Sequence, residues 1–162
     1  MLIPTKEECI KILDENNTLN NIILHSKKVH EVAMRIVDIL EKNGINVNRD
    51  LVGAAALLHD IQKIKEHHEI AGAELVKNMG FNEVASIIKK HGLRNIEDEN
   101  FTPSKIEEKI VFYADKRVNG DKIVSLKQRF DYIKERYEYS NIDKEYQFAK
   151  KIEKELIGDN EV

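Results

Sequence analysis

The apolar run Leu51-Val-Gly-Ala-Ala-Ala-Leu-Leu58 ends on His59-Asp60. That junction constrains the fold more than any other stretch. An imidazole and a carboxylate carried inward by such a run are costly to bury unless both find partners. The obvious partners lie elsewhere: His25 in Ile-Leu-His-Ser-Lys-Lys-Val, His68 in His-His-Glu-Ile-Ala-Gly, His91 in Ile-Ile-Lys-Lys-His-Gly, and Asp115 in Val-Phe-Tyr-Ala-Asp-Lys. A fold that satisfies His59-Asp60 has to bring these separate segments together. The four histidines and two aspartates could then hold one or two metal ions.

The segments read as helices. Glycine and proline are scarce, at 7 and 2, and helix formers abound, which favours an all-α protein. Thr5-Lys-Glu-Glu8 has the form of a capping box and predicts a first helix, ended by Asn16-Asn17. A long helix follows from about Leu19 to Asn43, stopping at Gly44. Ile22, Val29, Val32, Ala33, Ile36 and Leu40 mark its apolar face. Asn48 or Asp50 can cap the third helix, which carries the apolar run. A fourth is expected from His68 to Asn78, and a fifth from Asn82 to His91-Gly92. Residues 95–100 read as a loop. Ser104-Lys-Ile-Glu107 is another capping box, opening a sixth helix that carries Asp115 and ends near Asn119-Gly120. One or two charge-rich helices fill Asp121 to Leu156. No alternating strand pattern of useful length is present.

A chain of 162 residues suits one domain, 1–162, with a motif-bearing core at about 19–120 and C-terminal helices over 121–157. Hydrophobic residues at 41% and charged residues at 34% indicate a globular protein. The net charge of −3, with both signs dispersed, gives no support to nucleic-acid binding. Cys9 is the sole cysteine, which excludes an internal disulfide and fits a reducing compartment. No apolar run approaches the ~20 residues of a membrane span, and the N-terminus lacks a signal-peptide pattern. A cytoplasmic protein is expected.

Each candidate has an ordinary structural reading beside the metal one. On an ideal helix His25 lies within ~20° of Ile36 and ~40° of Val29, so it points at the core, as a hydrogen-bonded core histidine would. His30, about 140° away, reads as a surface residue, and so does His67. His59 and Asp60 can reach one site if their helix ends there. A histidine is favourable at a helix C-terminus, but a carboxylate there is not unless a cation is near. His68 shares a helix face with Gly72, which lets another backbone or a ligand come close. His91 also suits a helix C-terminus. Asp115 sits mid-helix, where aspartate is a poor helix former. A salt bridge to Lys116 or Arg117 is not expected, because neighbours one or two apart diverge.

This ordered set resembles the HD-domain superfamily of metal-dependent phosphohydrolases. It comprises His25-Ser-Lys-Lys-Val, Leu-Leu-His59-Asp60-Ile-Gln-Lys63, His68 with Gly72, His91-Gly, and Ala-Asp115-Lys, and it spans roughly residues 20 to 120. The resemblance implies six to eight helices around a buried metal site. His25, His59, Asp60 and Asp115 match the family's basic ligand set, and His68 and His91 match the extra histidines of members with two metals. Asp60 would then be the bridging carboxylate. Many relatives read His-Asp-Ile-Gly-Lys. Gln62 stands where that glycine would be, so the turn after the ligands is expected to differ and with it the direction of Lys63.

The resulting expectation is a metal-dependent phosphohydrolase acting on a small nucleotide-like phosphate ester, phosphodiester or phosphoanhydride through a metal-activated water. The mixed nitrogen and oxygen donors favour Mn, Fe, Co, Ni or Zn over Mg. Asp60 and Lys63 are the candidate catalytic residues. Lys63, Arg94, Lys116 and Arg117 are candidate phosphate contacts, although helix-borne charges and loop arginines are commonly just solvated. Two other uses suit the same ligands: di-iron oxygen activation, and a non-enzymatic metal- and nucleotide-binding module. The tyrosine-rich stretch Phe130–Tyr139 could form a homodimer surface. At helical spacing Phe130, Ile133 and Tyr137 would instead pack on the core.

Overall fold

The computed structural model describes residues 1–137 and 142–162. The described residues form eight helices and one two-stranded hairpin. The elements are α1 (Lys6–Glu15), α2 (Asn20–Lys42), α3 (Arg49–Leu58), α4 (His68–Asn78), α5 (Asn82–Lys89), α6 (Ile106–Lys116), β1 (Val118–Asn119), β2 (Lys122–Ile123), α7 (Leu126–Arg136) and α8 (Asp143–Leu156). Glu138 and Tyr139 of the tyrosine-rich stretch lie outside the described residues.

Local chemistry starts several of these helices where the sequence places it. The Thr5 amide donates to Glu8 Oε1 and the Glu8 amide to Thr5 Oγ1, both at 3.1 Å, closing the capping box of α1. Asn48 Oδ1 accepts the Leu51 amide at 3.1 Å and opens α3. The α6 start is shifted by one residue. Glu108, not Glu107, accepts the Ser104 and Lys105 amides, at 3.0 and 2.9 Å. Glu107 instead reaches across to the Asn48 amide at 3.0 Å.

α3 is the central element. It packs against α1, α2, α5 and α6, and all eight residues from Leu51 to Leu58 are buried. This explains why its sequence has no polar face: a helix surrounded on all sides reads as a continuous apolar run. α2 turns Val29, Val32, Ala33, Ile36, Val37 and Leu40 onto it. Each larger aliphatic side chain so buried stabilises the fold by ~1.5–3 kcal/mol. α4 packs on α5, and α5 packs against α3. A β-carbon at Gly72 would stand 3.4 Å from Ile88 Cγ2, 3.5 Å from Ile61 Cγ2 and 3.9 Å from the His59 carbonyl, so the backbone of α4 lies one methyl group from these neighbours.

Beyond α6 the chain departs from the expected succession of helices. α6 ends at Lys116, and Val118–Asn119 pair antiparallel with Lys122–Ile123. Gly120, at φ +62°, supplies the turn. Two residues per strand are too few to show alternation, so nothing in the local pattern announces the hairpin. His30 is half-buried rather than on the surface. Its Nε2 would lie 3.3 Å from a β-carbon at Gly53, so the absent side chain of that glycine makes room for the ring. Phe130 and Ile133 of α7 are buried, whereas Tyr137 is 57% exposed and does not pack on the core.

Candidate metal centre

α3 stops at Leu58, so His59 and Asp60 lie at its C-terminus, both buried. Release from the helix lets the two neighbours face one cavity. His25 comes from mid-α2, Asp115 from the end of α6, His68 from the first residue of α4, and His91 from just past α5. All six residues expected as ligands converge.

They form two groups that share Asp60. His25, His59, Asp60 and Asp115 each offer a ligand atom, all within 4.8 Å of one another, and Asp60, His68 and His91 do the same. Asp60 Oδ2 lies 3.5 Å from His25 Nε2 and 3.3 Å from His59 Nε2. Its Oδ1 lies 3.4 Å from His68 Nε2 and 3.3 Å from His91 Nε2. Asp115 Oδ1 stands 3.0 Å from His25 Nε2 and 3.2 Å from His59 Nε2.

The donors are oriented from behind. His25 Nδ1 bonds the Gly120 carbonyl at 2.6 Å, His59 Nδ1 the Ala56 carbonyl at 2.7 Å, and His91 Nδ1 the Ile88 carbonyl at 2.6 Å. A ring that donates from Nδ1 presents a bare Nε2 lone pair inward, the form a metal needs. The residues fit a metal ion on a second count as well. Asp60 Oδ1 is buried and makes no hydrogen bond despite two imidazoles within 3.4 Å. A buried carboxylate oxygen left so is expensive without a cation.

Without a cation the electrostatics favour a proton on His59 in place of the bare lone pair. Burial would raise the Asp60 and Asp115 carboxyls, but His59 beside the first and Lys116 beside the second hold both well below the usual range. Burial works against a charged His59, yet the Asp60 and Asp115 carboxylates outweigh it and raise the imidazole to about 10. His91 goes the other way, lowered chiefly by its burial.

The phosphate-contact candidates divide. Lys63 is exposed and lines the cleft over His25 and Asp60. Its turn is closed by Lys63 N–H donating to the Asp60 carbonyl at 2.9 Å. Gln62 has no positive φ, so no glycine is needed there; the left-handed residue of this connection is His67, at φ +52°. His67 is exposed, as expected, and contacts the exposed Arg94. Lys116 is buried, not solvated, and it does pair with Asp115. Its Nζ donates to Asp115 Oδ2 at 2.7 Å and to the His91 carbonyl at 2.9 Å. Adjacent Cβ atoms diverge on a helix, but the long lysine stem folds back, because a buried ammonium must find acceptors. Arg117 is not brought to the site. It donates to the Val124 carbonyl at 2.6 Å and the Tyr113 hydroxyl at 2.7 Å.

Two residues near the centre went unread in the sequence. Glu69 is buried beside Gly92, with Oε2 3.8 Å from His68 Nδ1 and Oε1 unpartnered. The signal was the acidic neighbour of a candidate histidine at a helix start. Arg129 of α7 lines the same cleft as Lys63. No motif marked it.

The comparisons with known proteins agree with this geometry. The chain is 36% identical over 168 aligned positions to a tRNA (cytidine(56)-2'-O)-methyltransferase of Picrophilus torridus, covering 95% of this chain and 47% of that protein. It is 31% identical to an uncharacterized protein of Methanocaldococcus jannaschii, covering 74% and 79%. It is 34% identical to a dihydroneopterin 2',3'-cyclic phosphate phosphodiesterase of the same organism, covering 58% and 44%. The chain thus spans less than half the length of the methyltransferase it matches. No solved structure matches it significantly. The family model for the HD domain matches residues 22–120, the stretch that holds every one of the converging ligands; the chain belongs to the HD-domain superfamily of metal-dependent phosphohydrolases.

Proposed function

We propose that this protein is a metal-dependent phosphohydrolase that cleaves a small phosphodiester or phosphate ester of a nucleotide-like compound. The observation that carries this reading is the placement of Asp60. Its two oxygens face separate imidazole pairs, the arrangement by which one carboxylate joins two cations. A divalent ion held by these residues would supply an acidified water and positive charge against the phosphate.

The chain's own residues do the rest. His25, His59, Asp60 and Asp115 would hold one ion, and Asp60, His68 and His91 a second. Mn, Fe, Co, Ni or Zn suits the mixed donors better than Mg. His59 has to give up its proton to become a ligand, so metal uptake releases acid. Lys116 keeps Asp115 ionised and aimed inward. Lys63, at the mouth of the cleft, is placed to meet a phosphate oxygen and to stabilise charge that grows as the ester bond breaks.

The phosphodiesterase relative supports a small diester as substrate. The methyltransferase name belongs to proteins of which the matched stretch is less than half. Converging imidazoles and carboxylates suit metal-assisted cleavage of a phosphate ester. The test is a panel of phosphomonoesters, cyclic phosphodiesters and nucleoside phosphates offered to protein loaded with each metal in turn, beside Asp60→Ala. Metal-dependent phosphate release that Asp60→Ala abolishes is expected. An inactive panel, with metal content unchanged in Asp60→Ala, sinks the proposal.

A further inference from the structure

A cleft of about 410 Å³ opens over His25 and Asp60. Its outer wall comes partly from α7, which lies beyond residue 120, where the family match ends. Arg129 of α7 is half-buried, and its Nε is buried without a hydrogen-bond partner. Among the described residues it makes no ion pair. Arg35, Arg49 and Arg117, by contrast, have their guanidinium groups engaged: Arg35 by Glu31, Arg49 by Asp38 and Glu41, and Arg117 by carbonyl and hydroxyl oxygens. A partly desolvated guanidinium without an acceptor is costly to keep.

Lys63 faces the same cleft and likewise forms no ion pair among the described residues. A fork of guanidinium donors beside an ammonium matches the oxygens of a phosphoryl group. Asp121, on the hairpin side, is the carboxylate at the rim. It disfavours an anion there and leaves the Lys63–Arg129 side as the place for one.

Next to these charges the wall is apolar. Arg129 lies over the Tyr132 ring at 6.0 Å. Tyr132 and Leu24 line the cleft while remaining 39% and 44% exposed. An exposed ring and an aliphatic group in the cleft lined by these two cations favour a flat apolar group on the ligand.

Resting on the hydrolase reading above, we propose that Arg129 is a substrate-binding residue: with Lys63 it clamps the phosphoryl group over His25 and Asp60, while Tyr132 and Leu24 form a ledge for a planar ring joined to that phosphate. The substrate class is a phosphate ester of an aromatic or heterocyclic compound.

Methylphosphonate and benzylphosphonate, which resist hydrolysis, are titrated calorimetrically into the metal-loaded full chain. Benzylphosphonate is expected to bind about tenfold more tightly, the size of one stacking contact. Arg129→Gln weakens both about tenfold or more, as for a lost charged hydrogen bond, and Arg129→Lys recovers part of the loss. Tyr132→Leu removes only the preference for the ring. Lys127→Gln, on the same helix but outside the cleft, leaves both affinities unchanged. Unaltered phosphonate binding in Arg129→Gln, or no binding by the wild type, overturns the clamp; equal wild-type affinities overturn the ledge. The outcome also separates the two readings. Phosphonates bound as expected by a protein that cleaves no ester leave the clamp standing without the hydrolase. Esters cleaved with KM and phosphonate affinity unchanged in Arg129→Gln leave the hydrolase standing without the clamp.

Discussion

The two halves of the cluster are built differently. In the half made of His25, His59, Asp60 and Asp115, every donor but the shared Asp60 is braced from behind. Two of its rings are fixed through Nδ1 on carbonyls, and Asp115 is pinned by Lys116. The half made of Asp60, His68 and His91 is looser. His91 is fixed on the Ile88 carbonyl, but among the described residues the partner behind His68 is Glu69, at 3.8 Å. The His68 side chain is 24% exposed, against 0% for His59, and it follows a residue with left-handed backbone. Preorganised donors bind with less ordering cost. If each half takes an ion, the braced half should be the tighter site, and the looser half the one that fills last and empties first.

Asp60→Ala tests the join between them. It removes a donor from both halves, so both metals are lost from the purified protein by elemental analysis, and activity falls by more than about a hundredfold, as for loss of a principal electrostatic contributor. Retention of the metal by either half would show that Asp60 is not shared. Next in size is the contrast of His59→Ala with His68→Ala. The first strips the braced half; the second leaves one ion that resists a mild chelator. If the two variants retained the same metal, the asymmetry would be wrong.

Glu69→Gln is a finer probe. It leaves every direct donor in place and alters only what stands behind His68, so affinity at the looser half should drop about tenfold, read by competition with a chromophoric chelator. An equal loss at both halves would count against the assignment. The smallest effect is at Glu108, which ties the two sides together from outside. Its carboxylate takes the Ser104 and Lys105 amides at the start of α6 and pairs with Lys90, the residue before His91, at 3.0 Å. Burial opposes its ionisation, but those amides and Lys90 outweigh it and lower the carboxyl below its ordinary 4.5. A depressed carboxyl contributes stability above its unfolded value and loses it as pH falls through the folded one. Glu108→Gln should therefore cost about 1–3 kcal/mol near neutrality. Its thermal melting curve should approach that of the wild type as pH drops below 4.5. A gap that stayed constant in acid would deny the carboxylate its role.

Legibility followed the range of the interactions. Thr5 with Glu8, Asn48 with Leu51, and the Leu51–Leu58 run act within a turn or two, so α1 and α3 could be read directly. The ordered His and Asp set was legible because metal binding demands rare residue types at fixed places. The pairing of Lys116 with Asp115 was misjudged, because helix geometry predicts where a β-carbon points but not where a long stem goes once it is buried. Glu69 and Arg129 were missed for a related reason. Their significance lies in Gly92 and Lys63, residues on other segments that only the folded chain brings near. Gln62 looked like a misfit, but the connection takes its left-handed turn five residues later.

The Gly120 turn has a consequence for anyone grafting sequence into this scaffold. Its carbonyl is at once the apex of a hairpin and the acceptor that aims His25. An epitope spliced in at residue 120 would swing that imidazole off its axis, even though the position lies at a hairpin tip. The loop over 97–100, whose side chains are exposed and touch none of the ligands, can carry the same insert without cost to metal loading.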